Sequence, residues 1–293
     1  MSNRVPKKNR SYVGPITDTG RWSRFQHRPD DIFVCTPPKC GTTWTQAICA
    51  MLVFGKVDHG IQSSKASPWI DARFAPIDEY LEQVEAQNHR RYIKTHTPLD
   101  GIPYYPECTY LVVCRDPRDV YCSNINHRDN MTDEELAFNV FMSGENAFDE
   151  WLTLEQEAGG WDKQTLQLTT HFLQSYWSFK DLPNIHLFHY SDMKHDLKAA
   201  IAAMASALGI DVGEELLVAM AEAAGFDHMK RNAENFVPES GTNFWKQDGG
   251  FFASGRNGQW RDILSDSELL AFDARLADLL APEPAQWLLN GSR

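Results

Sequence analysis

The sequence predicts an α/β fold: a single domain with a central parallel β-sheet flanked by helices. Two observations carry that expectation. Four short runs rich in β-formers, near residues 32, 92, 110 and 186, alternate with longer segments of helical spacing. The first run also passes through a Gly-containing turn directly into a helical pattern. Open parallel sheets place their ligands at such strand–loop–helix units.

The 293 residues, 42% hydrophobic and 23% charged, suffice for one sizeable core. We divide them into an N-terminal arm, residues 1–30, and the domain proper, residues 31–293. The arm has no clear period and is expected to be loosely held, packing Trp22 and Phe25 over the core. A net charge of −12 argues against nucleic acid as the main partner, because that binding rests on clustered Lys and Arg. An anionic ligand stays compatible, since a local pocket can oppose the global charge. No apolar run approaches a membrane span, and the N-terminus lacks the apolar middle of a signal peptide, so a cytoplasmic location is expected. The six cysteines show no CxxC and no zinc spacing, and we read them all as reduced thiols. There are no internal repeats.

Residues 31–44 read DIFVCTPPKCGTTW. Ile32 to Cys35 is a buried strand in pattern. Thr36, Pro37 and Pro38 break it, and helical spacing begins at the threonines. Free N–H groups and the positive end of the helix dipole then face the turn. Lys39 adds a full charge, and Thr42 and Thr43 add two hydroxyls. The combination outweighs the alternative of an ordinary turn with a solvated lysine and reads as a phosphate or sulfate cradle. It is not a Walker A loop, which places its lysine after a second glycine. A kinase on a related fold, needing that loop and Mg²⁺ ligands, and a non-catalytic binding module are the competing readings.

Further along, Ser67-Pro68-Trp69-Ile70-Asp71 lies in a predicted loop, and Pro76 opens a helix with the stripe Ile77, Tyr80, Leu81 and Val84. Arg91 to His96 is the second strand, with Lys94 and His96 on one side of it. Thr109 to Cys114 is the third and has the strongest β signal. Asp116 and Pro117 suit the cap and first position of the helix that follows. Residues 132–157 read as one helix opened by a Thr132-x-x-Glu135 capping box, with Gly159-Gly160 ending the pattern. Residues 167–180 read as another helix, in which His171 is structural. Ile185 to Tyr190 is the fourth strand, followed by an Ala-rich helix to Leu208 and another helix over 213–224. Residues 232–250 are polar and Gly-rich, a long loop or lid anchored by Phe244 and Trp245. Residues 265–280 form a C-terminal helix.

Four segments resemble the sulfotransferases that use 3′-phosphoadenosine 5′-phosphosulfate (PAPS). Pro38-Lys39-Cys40-Gly41-Thr42-Thr43-Trp44 is similar to the family's first signature, with Cys40 where a serine is usual. Lys94-Thr95-His96-Thr97-Pro98 is similar to the segment holding the family's general base. Arg115 and Ser123 match the second signature with its spacing. The run from Phe251 to Trp260 is similar to the third. There Gly255, Gly258 and Trp260 align, but Ala253 and Ser254 replace an Arg-Lys pair.

The resemblance implies sulfuryl transfer from PAPS to a hydroxyl or amine, with PAP (adenosine 3′,5′-bisphosphate) as product and no metal. It implies His96 as base, Lys39 and Lys94 as catalytic cations, and a 5′-phosphate held by Thr42, Thr43 and the N–H groups at Cys40 and Gly41. Trp44, Tyr190 and Phe226 would surround the adenine. Arg115 and Ser123 would hold the 3′-phosphate, helped by Ser254, the N–H around Gly255 and the charge of Arg256. A thiol at Cys40 would be open to oxidation or alkylation whenever the cofactor is absent. The acceptor is a small molecule or glycolipid: a phenol, an alcohol, a sugar hydroxyl or an amine. Trp69, Phe74, Tyr104, Tyr105, Phe138, Phe141, Trp245 and Phe251 supply either an apolar pocket for it or plain core. The dimer motif of the animal cytosolic members, expected near Arg261 to Leu270, is missing, and a homo-oligomer stays open.

Overall fold

The computed structural model describes residues 5–62, 65–155 and 161–292. Strands β1 (Ile32–Cys35), β2 (Tyr92–Thr95), β3 (Thr109–Cys114) and β4 (Ile185–His189) form one sheet in the order β2-β1-β3-β4. Every pairing is parallel, with Ile32 opposite both Tyr92 and Thr109, and Cys114 opposite His189. The single α/β domain expected from the strand runs is therefore present, each strand within about a residue of its predicted place.

Alternation along the strands divides the core into two layers. Phe33, Cys35, Ile93, Tyr110 and Val112 face one side and pack with α6 (Leu166–Trp177), α12 (Asp266–Leu279) and α13 (Pro282–Asn290). Ile32, Val34, Tyr92, Leu111 and Val113 face the other and pack with α1 (Thr42–Phe54), α8 (Leu197–Ala207) and α9 (Glu214–Ala223). The arm contributes to the first layer: Trp22 and Phe25 are buried beside Phe33. It is also tied down. The Asp162 carboxylate accepts from the N–H groups of Ile16 and Thr17, at 2.6 and 2.8 Å.

Two helical expectations are corrected. Residues 132–157 are not one helix but α4 (Glu134–Val140) and α5 (Ala147–Thr153). Gly144, at φ 86°, turns the chain between them. The cap is Asp133, which accepts from Leu136 N–H, while the Thr132 hydroxyl donates to the Asn243 and Phe244 carbonyls. Phe138 is consequently 65% exposed and belongs to neither core nor pocket. The predicted stop at Gly159-Gly160 lies outside the described residues. The helix α13 lies beyond the C-terminal helix expected from the sequence and is an addition to it. The lid region contains the short helix α11 (Ala233–Phe236), and Trp245 is buried, donating to the Pro238 carbonyl at 2.7 Å.

Candidate active site

The site is built at the carboxyl ends of β1, β2 and β3. After β1 the chain makes a turn in which Lys39 adopts φ 67° and Gly41 φ 98°. A side chain on Gly41 would meet the Tyr190 ring at 3.1 Å, so conformation and close approach both require glycine there. Gly41 caps α1 without a side-chain hydrogen bond, leaving the first-turn N–H groups for a ligand. A left-handed lysine is strained, and such strain persists where the surroundings over-determine it. The Thr36 and Thr42 hydroxyls, 2.6 Å apart, close the turn from behind.

At the end of β2, the segment Trp69 to Asp71 runs alongside the strand. Lys94 N–H donates to the Pro68 carbonyl, and the Lys94 ammonium stands over the Trp69 ring at 4.1 Å. Beneath it, one oxygen of buried Asp71 accepts from Trp22 Nε1 and from the hydroxyls of Thr95 and Thr97. His96 follows, edge-on to Trp69, with its Nδ1 2.7 Å from the Thr36 carbonyl. A carbonyl only accepts, so Nδ1 carries the proton and Nε2 keeps its lone pair.

After β3 comes α3 (Pro117–Asn130), capped by Asp116 with Pro117 at its first turn as expected. Arg115 is buried over the Tyr190 ring at 4.3 Å. Its Nη atoms reach the Lys39 and Arg256 carbonyls, while Nε is buried without a partner. Asp119 accepts from the N–H groups of Gly258 and Gln259, both at 2.8 Å, and so draws the 251–260 loop onto α3. Gly255 lies flat on Phe226, where a Cβ would overlap the ring. Trp260 receives the Arg118 guanidinium on its face at 3.9 Å. The three aligned positions of the third signature thus have three separate structural reasons.

These parts converge on one cavity of about 1240 Å³. Lys39, Gly41, Thr42, Thr43, Trp44, Lys94, His96, Arg115, Ser123, Tyr190, Phe226, Ser254 and Gly255 all line it. Trp44 donates Nε1–H to the Ala224 carbonyl and meets Tyr190 edge-on, forming one side of an aromatic slot that Phe226 also lines. The cavity is rich in cations with few anions near them. Burial, then Arg115 and Lys94, lowers the Lys39 pKa to about 7. Burial lowers Lys94 to about 8, with Asp71 opposing. Burial, then Lys94, pushes His96 well below its usual value. Among the described residues, no group of three or more His, Cys, Asp or Glu is placed to hold a metal.

Two predicted residues do not reach the cavity. The Cys40 thiol is fully buried behind the loop, and burial pushes its pKa up to about 12. The expectation of an accessible, reactive thiol is therefore corrected. Arg256 points away, 66% exposed and 3.5 Å from Asp262, because its carbonyl rather than its guanidinium is turned toward Arg115. Two lining residues escape sequence reasoning. Lys194, on α7 (Tyr190–His195), lines the cavity and donates to the Gly255 carbonyl. Its Tyr-x-Asp-Met-Lys motif is visible in the sequence, but nothing local shows that the lysine turns inward. His127, on α3, lies 2.6 Å from the Lys39 ammonium. No local pattern marks it, since its partner is 88 residues away. Of the candidate pocket aromatics, Trp69, Phe74, Phe141, Trp245 and Phe251 line the cavity; Tyr104 and Tyr105 pack on the core.

The sequence matches the family model of the sulfotransferase domain over residues 29–281. A glycolipid sulfotransferase of Mycobacterium bovis (strain BCG / Pasteur 1173P2) is 31% identical, covering 100% of this chain and 98% of its own length. An amine sulfotransferase of Oryctolagus cuniculus is 27% identical, covering 91% and 86%. Among solved structures, retinol dehydratase in complex with androsterone and the inactive cofactor PAP has a similar fold. Its TM-score is 0.71 at 19% identity, covering 88% of this chain and 83% of that one. Mouse sulfotransferase SULT7A1 complexed with PAP gives 0.70 at 20% identity, covering 92% and 91%. The match over nearly the whole domain makes the conclusion plain: this chain belongs to the sulfotransferase family, the PAPS-dependent enzymes that its signatures resemble.

Proposed function

We propose that the protein transfers the sulfuryl group of PAPS to a hydroxyl of an amphiphilic small molecule or glycolipid, with His96 as general base. The observation that carries this reading is the Thr36–His96 hydrogen bond. It leaves the Nε2 lone pair free in the same cavity as the Lys39 ammonium.

The residues fit the donor. The uncapped start of α1 and the Thr42 and Thr43 hydroxyls suit its 5′-phosphate. The Trp44–Tyr190–Phe226 slot suits an adenine ring. The orphaned Arg115 Nε, Ser123 and Lys194 suit its 3′-phosphate. At the other end, Phe74, Trp69, Phe141, Trp245 and Phe251 form an apolar chamber, and the volume exceeds what a single drug-sized ligand fills.

In the proposed step, His96 Nε2 takes the proton of the acceptor hydroxyl as its oxygen bonds to sulfur. The bond from sulfur to the bridging oxygen breaks, and the electron pair leaves on the 5′-phosphate of PAP. Lys39 donates to that bridging oxygen as charge develops, and Lys94 adds a second cation nearby. The lowered pKa values suit this role. Both lysines are partly neutral alone and become charged when the polyanion arrives. The buried, reduced thiols agree with a cytoplasmic setting. The test is an acceptor screen with labelled PAPS. Transfer of label to a lipid-linked or aryl hydroxyl supports the reading; PAPS binding without transfer to any hydroxyl in the screen overturns it.

A further inference from the structure

His127 has a place in the cavity that the proposed chemistry does not use. Its Nδ1 accepts a hydrogen bond from the Lys39 ammonium at 2.6 Å. On the reading above, the bound polyanion keeps Lys39 charged; an ammonium can only donate, so in that state Nδ1 is unprotonated and the neutral ring carries its proton on Nε2. Burial, then Lys39, Lys94 and His96, holds the ring neutral. Its walls are Trp245 at 4.7 Å and Phe141 and Phe251 at 5.6 Å, none of which offers an oxygen. Among the described residues, the bond to Lys39 is the ring's only hydrogen bond. An imidazole N–H is thus presented to an otherwise aromatic part of the acceptor chamber, where a bound acceptor that shuts out water without supplying an oxygen leaves that donor unmet at a cost.

An oxygen held by Nε2–H would lie one imidazole ring and one hydrogen bond from the Lys39 ammonium. On the reading above, that ammonium meets the transferring group. The oxygen would therefore lie close to the hydroxyl being sulfated. We propose that His127 selects acceptors carrying a second oxygen beside the reacting hydroxyl, as in a sugar or another vicinal polyol. By donating to that oxygen it sets which hydroxyl faces His96. A phenol or a simple alcohol has no such oxygen and would leave the donor unmet. A glycosyl head satisfies it, while its alkyl chain occupies the aromatic walls.

The test uses octyl β-glucoside and its mono-deoxy analogues as acceptors, with labelled PAPS, on the wild-type enzyme and on His127→Phe and His127→Gln. In the wild type, removing one hydroxyl beside the sulfated one should lower kcat/KM by about tenfold to a hundredfold, the cost of one unmet buried donor. His127→Phe removes the partner of Lys39 and should slow both compounds by a common factor, but it should lower the parent further, so that the difference between parent and analogue disappears. His127→Gln, which keeps an N–H, should recover part of the difference. If His127 served only to position Lys39, parent and analogue would fall equally, which overturns the proposal. A wild-type enzyme that sulfates octanol or 2-naphthol but not octyl glucoside, or that tolerates every single deoxy change, also overturns it. Loss of transfer to every hydroxyl would instead overturn the function proposed above. If His127→Phe fails to fold, the wild-type deoxy series and His127→Gln still decide.

Discussion

His96 Nδ1 lies 2.7 Å from the carbonyl oxygen of Thr36, so the ring of one strand end is fixed by the backbone of its neighbour. The register of β1 on β2, with Cys35 opposite Thr95, brings these two residues side by side. The pairing of strands thereby sets the tautomer of the proposed base.

The same arrangement places cations where they are costly, and this has a measurable consequence. Burial, with neighbouring cations, lowers Lys39 to about 7, and burial lowers Lys94 to about 8. PAP should raise both, because opposite charge favours the protonated form. A pKa raised on binding means proton uptake, and affinity that falls as pH rises through the free-protein values. Calorimetry in buffers of different ionisation enthalpy should show uptake of about one proton per PAP at pH 8, turning to release toward pH 6, where the lysines are already charged and the phosphate monoesters of PAP, with a second pKa of about 6, lose protons on binding. No uptake at pH 8 would contradict the assignment.

Gly255 is the position at which a methyl group should matter most for the cofactor. Its Cβ would overlap the Phe226 ring, at φ 60°. Gly255→Ala is expected to displace Phe226 and weaken PAP binding by about tenfold, while a melting curve shifts by only a few degrees. Unchanged PAP affinity would show that the contact is irrelevant to the slot.

Lys194 and Arg256 should separate cleanly. Lys194 lines the cavity, whereas Arg256 is turned to solvent. Lys194→Ala is expected to reduce PAP affinity about tenfold, and Arg256→Ala to stay within about twofold. Titration of PAP followed by tryptophan fluorescence distinguishes them, and the reverse order would restore the expectation from sequence.

The cysteines should resist modification. All six are buried and free. In the native protein, Ellman's reagent is expected to label less than about one thiol per chain within minutes, with or without PAP, and all six after denaturation. Rapid labelling of Cys40 that PAP blocks would contradict its burial.

Much of this was legible in the residues. The strand Thr109 to Cys114 and the turn from Pro38 to Thr43 carry their structure locally, in β-branched runs and in a glycine at φ 98°. The break in residues 132–157 was not legible, because Phe141 and Met142 continue an apolar pattern through the turn at Gly144. His127 could not be foreseen, since its meaning comes from Lys39 across the cavity. Arg256 misled because spacing counts residues but does not say which way a loop side chain turns.

In the proposed step, His96 removes the acceptor proton in a site whose cofactor binding does not depend on it. Single-turnover transfer from labelled PAPS should be about a hundredfold to ten-thousandfold slower in His96→Ala, with PAP affinity nearly unchanged. A variant that binds PAPS and transfers at a near-normal rate would contradict the account.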